Sequence, residues 1–312
     1  MIDPIEFFSN HTFRMVFFGS SVIGLVAGTL GSFAYLRKQS LIGDVVAHSA
    51  LPGALLVFLT SVVVLGVGGR NMLGVIVGAV ITGTLAALFA NSIAARTKIK
   101  IDTAMAISLT VFFGAGMLLL RIIANGPFAG KGGIDDYLFG NASVITIADL
   151  ATSTAVGAVA LVLMLVFWKE FTLRTFDPVL STMLGFRAGL IDLLMFTTIV
   201  IAIVIGVKAV GVVLMIAFVV TPPAAARQWT STLPGLVALS GAFGAIGSGV
   251  GAYLSVALGN VPTGPLIVLT LFVIFLISLL ASPRRSVLTT ALRRVRARET
   301  LRRELLIETT DR

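Results

Sequence analysis

A chain of 312 residues that is 57% hydrophobic and only 12% charged, with a mean hydropathy of +1.05, carries too little polar surface for a soluble domain of its size. Many apolar runs of about 20 residues, with no soluble block between them, place it in a bilayer as one polytopic, all-α bundle. The lack of cysteine excludes disulfides, thiolate metal sites and cysteine nucleophiles. Nine of the 23 lysines and arginines behind the net charge of +9 fall after Ser282. That pattern fits a positive-inside flank, with anionic lipid or a partner subunit as the alternative contact, and not a nucleic-acid surface.

The N-terminal stretch MIDPIEFFSNHTFR sets Asp3 and Glu6 before the first apolar run and lacks the basic region and cleavage site of a signal peptide, so the first span is expected to be retained. Nine apolar segments follow, near residues 13–36, 41–67, 72–95, 101–124, 147–168, 189–207, 209–226, 234–258 and 263–281. Only Lys208 separates the sixth from the seventh; one of them is open to being partial or re-entrant, which would make the count eight. Alternating the connections gives 18 basic residues on one side and 5 on the other, or 9 against 5 without the tail. The N-terminus is therefore expected outside and the C-terminus inside, with residues 1–283 forming the transmembrane domain and 284–312 a basic cytoplasmic tail.

The second segment holds LIGDVVAHSALPGALLVFL, residues 41 to 59, in which Asp44, His48 and Pro52 recur every four residues. Ionisable groups in a span cost about 2.5–3.5 kcal/mol on insertion scales and usually face a cavity or partner. Four residues on a helix return to within about 40° of the same direction, so Asp44 and His48 share a face. Pro52 has no backbone N–H, so the carbonyl four residues back, that of His48, loses its helical partner. A buried hydrogen bond, a proton relay and a path for a divalent metal all fit this spacing.

Glycines recur at close-packing intervals, including Gly24 with Gly28, Gly74 with Gly78 and the run GAFGAIGSGVG at 241–251, as expected where helix backbones approach in lipid. The glycine-rich outer loop at 125–143 carries Asp135 and Asp136 and serves either docking or mere connection; its GPFAGKG departs from a phosphate-binding loop in spacing and lacks the following Ser or Thr. In the inner connection at 168–194, Asp177 before Pro178 is a helix N-cap and first-turn signal, and Gly185 a C-terminal stop. The spacing predicts a short helix over 178–184 with Leu180, Met183 and Leu184 on one face, lying on the bilayer or inserted into another protein. Further on, Pro222 and Pro223 free the carbonyls of Phe218 and Val219. A gating kink and plain helix termination both fit, and the nearby Arg227 favours termination.

The stretch RKQSLIGDVVAHSALPGALLVF resembles the signature segment of the permease subunits of bacterial ABC importers for manganese, zinc or iron. DDYLFGN, FDPVLSTMLGF, VGVVLMIAFVVTPPAAAR and VPTGPLIVL resemble further blocks of that family in the same order, covering roughly residues 12 to 281. The resemblance implies a bacterial inner-membrane subunit without an ATPase of its own. Two permeases, identical or related, would bind two cytoplasmic ABC ATPases that carry the ATP, and would receive metal from an extracytoplasmic binding protein. It also implies that the helix after Asp177 is the coupling helix and that Asp44 and His48 lie on the metal path. The metal is cargo, with no permanently bound cofactor. The rival reading is an ion-coupled secondary transporter that uses Asp44 and His48 as a proton pair.

Overall fold

The structure, a computed structural model, describes residues 10–38, 41–64, 66, 72–128, 147–211, 215–259 and 261–282. Eleven helices are described: α1 His11–Leu36, α2 Ile42–Val63, α3 Met72–Arg96, α4 Ile101–Asn125, α5 Ile147–Val166, α6 Trp168–Phe176, α7 Pro178–Met183, α8 Ala188–Val210, α9 Met215–Trp229, α10 Leu233–Leu258 and α11 Thr263–Ala281. In a bilayer every backbone N–H and C=O must be satisfied within the segment, and uninterrupted apolar runs do this by coiling. Seven helices are long and apolar enough to cross a membrane (α1, α2, α3, α4, α8, α10 and α11), or eight if α5 and α6, bent by 69°, form one span.

Three expectations are corrected. The fifth apolar segment does not run straight through residue 168: helical geometry lapses at Phe167 (φ −95°, ψ 25°), and α6 turns aside. It does so because Phe171 and Trp168 pack edge-on against Phe33 near the end of α1, with ring centroids 5.7 and 5.9 Å away. The break between the sixth and seventh segments is not at Lys208, since α8 continues to Val210 and stops at Gly211, whose φ of +85° suits glycine. In agreement with the partial element left open for this region, the seventh segment is described as α9, 15 residues long and roughly 22 Å at 1.5 Å per residue, short of the roughly 30 Å hydrocarbon core.

Pro222 and Pro223 do not terminate α9, which carries both and continues to Trp229. The ring of Pro222 lies beside Gly28 of α1, and the carbonyl of Val219, freed by Pro223, sits against Gly31, where a side chain would overlap it. Small residues on α1 thus cover the irregular stretch of α9.

Two seams are made of backbone on backbone. At Gly24 of α1 a Cβ would collide with the Gly244 carbonyl of α10, and at Gly53 of α2 one would collide with the Gly78 carbonyl of α3. Without a hydrophobic force between helices in lipid, such close van der Waals contact is a main source of association. Between the seams runs α8, whose Met195, Phe196, Ile199, Val200 and Ile203 are fully buried in the main core. Gly24→Val is expected to force the α1–α10 seam apart and lower stability by about 1–3 kcal/mol, read as a fall in the unfolding midpoint in mild detergent.

Candidate functional site

Helix α2 starts after Leu41, which offers no side-chain cap, and carries Asp44 in its first turn. A carboxylate there is favoured by the positive end of the helix dipole. One turn on, His48 Nε2 lies 3.3 Å from Asp44 Oδ1, with the two side chains 19% and 32% exposed respectively. The imidazole is held edge-on by Phe113 of α4, centroid to centroid 4.7 Å. Its other nitrogen, Nδ1, is buried with no hydrogen-bond partner among the described residues. Leaving a buried polar atom unpaired costs about 1–3 kcal/mol, and the hydroxyl of the adjacent Ser49 is in the same state among the described residues.

Pro52 is buried one turn beyond His48. A Cβ on Gly116 of α4 would sit 3.0 Å from the Pro52 ring and 3.1 Å from Leu51, so α4 follows α2 closely. Phe113 touches at the level of His48 and Gly116 at that of Pro52. Pro52 removes the N–H that would have bonded the His48 carbonyl, so the same residue brings an imidazole and a released backbone oxygen. Among the described residues no cluster of three or more His, Asp or Glu is placed to hold a metal ion.

On the far side of the α5–α6 bend, Asp177 caps α7 by accepting a hydrogen bond from the Leu180 N–H at 2.9 Å, and Pro178 occupies the first turn. The helix closes at Gly185 (φ +82°), where the Gly185 and Phe186 N–H groups donate to the carbonyls of Thr182 and Ser181. It ends at Met183, one residue earlier than expected. Leu180, Met183 and Leu184 are all exposed, Met183 at 79% and Leu184 at 61%, giving a short, rigid apolar knob beside the bundle.

Three charged residues behind this knob were not singled out from sequence. Arg174 of α6 donates from Nε and Nη2 to the two oxygens of Asp192 on α8, at 3.1 and 2.7 Å, and from Nη1 to the Pro178 carbonyl at 3.4 Å. Arg37, just after α1, donates to Asp192 Oδ1 at 2.9 Å, with its guanidinium 5.1 Å above the Phe196 ring. Burial pulls the Arg37 pKa below its ordinary value while the Asp192 carboxylate opposes the shift. The available signal was an acid near the start of an apolar segment on the arginine-rich side. Asp135, Asp136 and the basic tail lie outside the described residues.

Seven or eight apolar spans, one of them with an acid and an imidazole on one face, define a polytopic membrane protein. A family profile described as the ABC 3 transport family matches residues 9–282, and the chain belongs to that family. It is 38% identical over 294 residues to the manganese transport system membrane protein MntC of Bacillus subtilis, covering 94% of this chain and 66% of that protein. It is 39% identical over 292 residues to the zinc transport system membrane protein TroC of Treponema pallidum, covering 94% and 96%. Among solved structures, a chain of PsaBC from Streptococcus pneumoniae in complex with Fab superposes with a TM-score of 0.78 at 30% identity, covering 93% of this chain and all of that one.

Proposed function

We propose that the chain is the membrane permease of an ATP-driven importer that carries Mn²⁺, Zn²⁺ or Fe²⁺ into a bacterial cytoplasm by alternating access. The observation that carries this reading is the Asp44–His48 pair. Metal–oxygen and metal–nitrogen bonds of about 2.0–2.2 Å at a tetrahedral or octahedral angle put the two ligand atoms roughly 2.8–3.6 Å apart, and Asp44 Oδ1 and His48 Nε2 stand at 3.3 Å. An ion could enter between them with little rearrangement. Mixed carboxylate and imidazole ligands suit first-row divalent metals and do not choose among them; the manganese and zinc named for two relatives agree with that class.

Two side-chain ligands and a carbonyl leave a coordination shell incomplete, so a second permease, identical or related, supplies the rest across a shared path. The N-terminus lies outside and the C-terminus inside, which puts α7, Arg37 and Arg174 on the cytoplasmic side. There α7 is the coupling helix of a separate ABC ATPase, which binds the ATP. An extracytoplasmic binding protein delivers the metal at the opposite face, where the loop with Asp135 and Asp136 receives it. Residues 284–312 form a basic tail at the inner surface, within reach of anionic lipid.

The test is reconstitution of this chain with its ATPase and binding protein in liposomes. ATP-dependent accumulation of one of these metals is expected. Uptake that survives removal of the ATPase and collapses with the proton gradient would establish the rival reading, a secondary transporter using Asp44 and His48 as a proton pair.

A further inference from the structure

Asp192 is the single acid in a contact that ties three separate parts of the chain. Arg174 grips it with two nitrogens, a fork that fixes angle as well as distance. Arg174 also reaches the first carbonyl of α7, so any tilt of α7 pulls on the carboxylate. On the other side Arg37 takes one of the same oxygens. Arg37 directly follows α1 and stands five residues before Ile42, the start of α2, which carries Asp44 in its first turn. Polar contacts therefore run without a gap from α7 to Arg37, in the link between α1 and the helix that carries Asp44 and His48.

The three side chains are 16–19% exposed, well below an ordinary surface pair, so solvent screens them only in part. Two guanidiniums share one carboxylate. With Asp192 neutralised they would face each other without an intervening anion, and the contact would open instead of merely weakening. Around it, α6 is held to α1 by Phe33, Trp168 and Phe171, an apolar contact that survives loss of the charges. The ion contact is thus separable from the docking of α6 on the bundle.

On the permease reading above, we infer that Asp192 is a positioning residue that relays movement of α7 to α2 through Arg174 and Arg37. It touches neither metal nor ATP. It sets whether motion imposed on the cytoplasmic helix reaches the Asp44–His48 pair.

The test uses the full transporter in liposomes with its ATPase and binding protein. It reads three quantities: ATPase association by co-purification, basal ATP hydrolysis, and metal ions accumulated per ATP. Asp192→Asn is expected to keep association and basal hydrolysis while metal per ATP falls by about 10-fold, within the usual range of coupling energies; Asp192→Glu should recover most of it. Arg37→Gln and Arg174→Gln should each lower the ratio, and the double substitution should be no worse than the worse single one, as for two links in series. The relay is overturned if Asp192→Asn keeps the wild-type ratio, if it loses the ATPase altogether, or if the two arginine losses add. Should Asp192→Asn fail to fold, the arginine cycle decides the question. Failure of the wild-type complex to bind an ATPase or to accumulate metal would count against the permease reading, a different result from any of these.

Discussion

Replacing His48 with Ala is expected to cut ATP-driven metal uptake by at least ~10-fold in a complex that still assembles, since even residues that only support a metal ligand are worth that much. Asp44→Ala should do the same. A purely structural pair predicts something else: losing the Asp44–His48 contact would loosen α2, and restoring a hydrogen bond would repair it. His48→Gln separates the two readings, because a glutamine amide can still donate to Asp44 but is a far poorer ligand for a divalent transition metal. Uptake that stays low in His48→Gln, with an unfolding midpoint near that of the parent, supports the path. Recovery of uptake in His48→Gln would assign the pair to the fold. Removal of the ring gives up the Nε2 contact with Asp44 and the edge-on contact with Phe113, while Nδ1 has no hydrogen bond among the described residues to lose.

The double substitution Met183→Glu and Leu184→Glu should weaken ATPase association by roughly 30-fold, the equivalent of about 2 kcal/mol, in the range of an interface anchor. Both side chains stand clear of the bundle, so charge there should leave the permease folded. The same substitutions discriminate between the two surfaces open to an apolar knob. If α7 rests on the bilayer, ATPase affinity is unchanged; if it enters a groove on the ATPase, co-purification is lost and uptake falls with it. Asp177→Ala, which removes the cap and costs the helix about 1 kcal/mol, should weaken association in the same direction and by less.

What could be read from the sequence was local. Asp177, Pro178 and Gly185 announce a short helix because capping is a matter of three or four neighbours, and the structure differs from that reading by one residue at its end. Asp44 and His48 share a face because four residues make a helical turn, whatever the surroundings. The features that escaped depend on distant partners. The carboxylate of Asp192 meets Arg37 across 155 positions and Arg174 across 18, and no spacing rule connects them. The edge of Phe113 against His48 comes from another span. The turn at Phe167 is set by Phe33, over 130 positions earlier in the chain; read alone, the apolar run simply continues. Pro222 and Pro223 suggested an end to α9 because the covering surface that tolerates them, Gly28 and Gly31, belongs to α1.

The seam between α1 and α10 has a thermodynamic character of its own. Gly24 and Gly244 have no rotamers to freeze, so bringing the two backbones together sacrifices almost no side-chain entropy, whereas a contact between leucines gives up about 0.5–1 kcal/mol for each side chain fixed. The attraction there is dispersion, which is mainly enthalpic. The α1–α10 seam, like that of α2 and α3 at Gly53 and Gly78, is accordingly a contact whose attraction is little offset by lost side-chain freedom, and so one suited to keep its shape on warming.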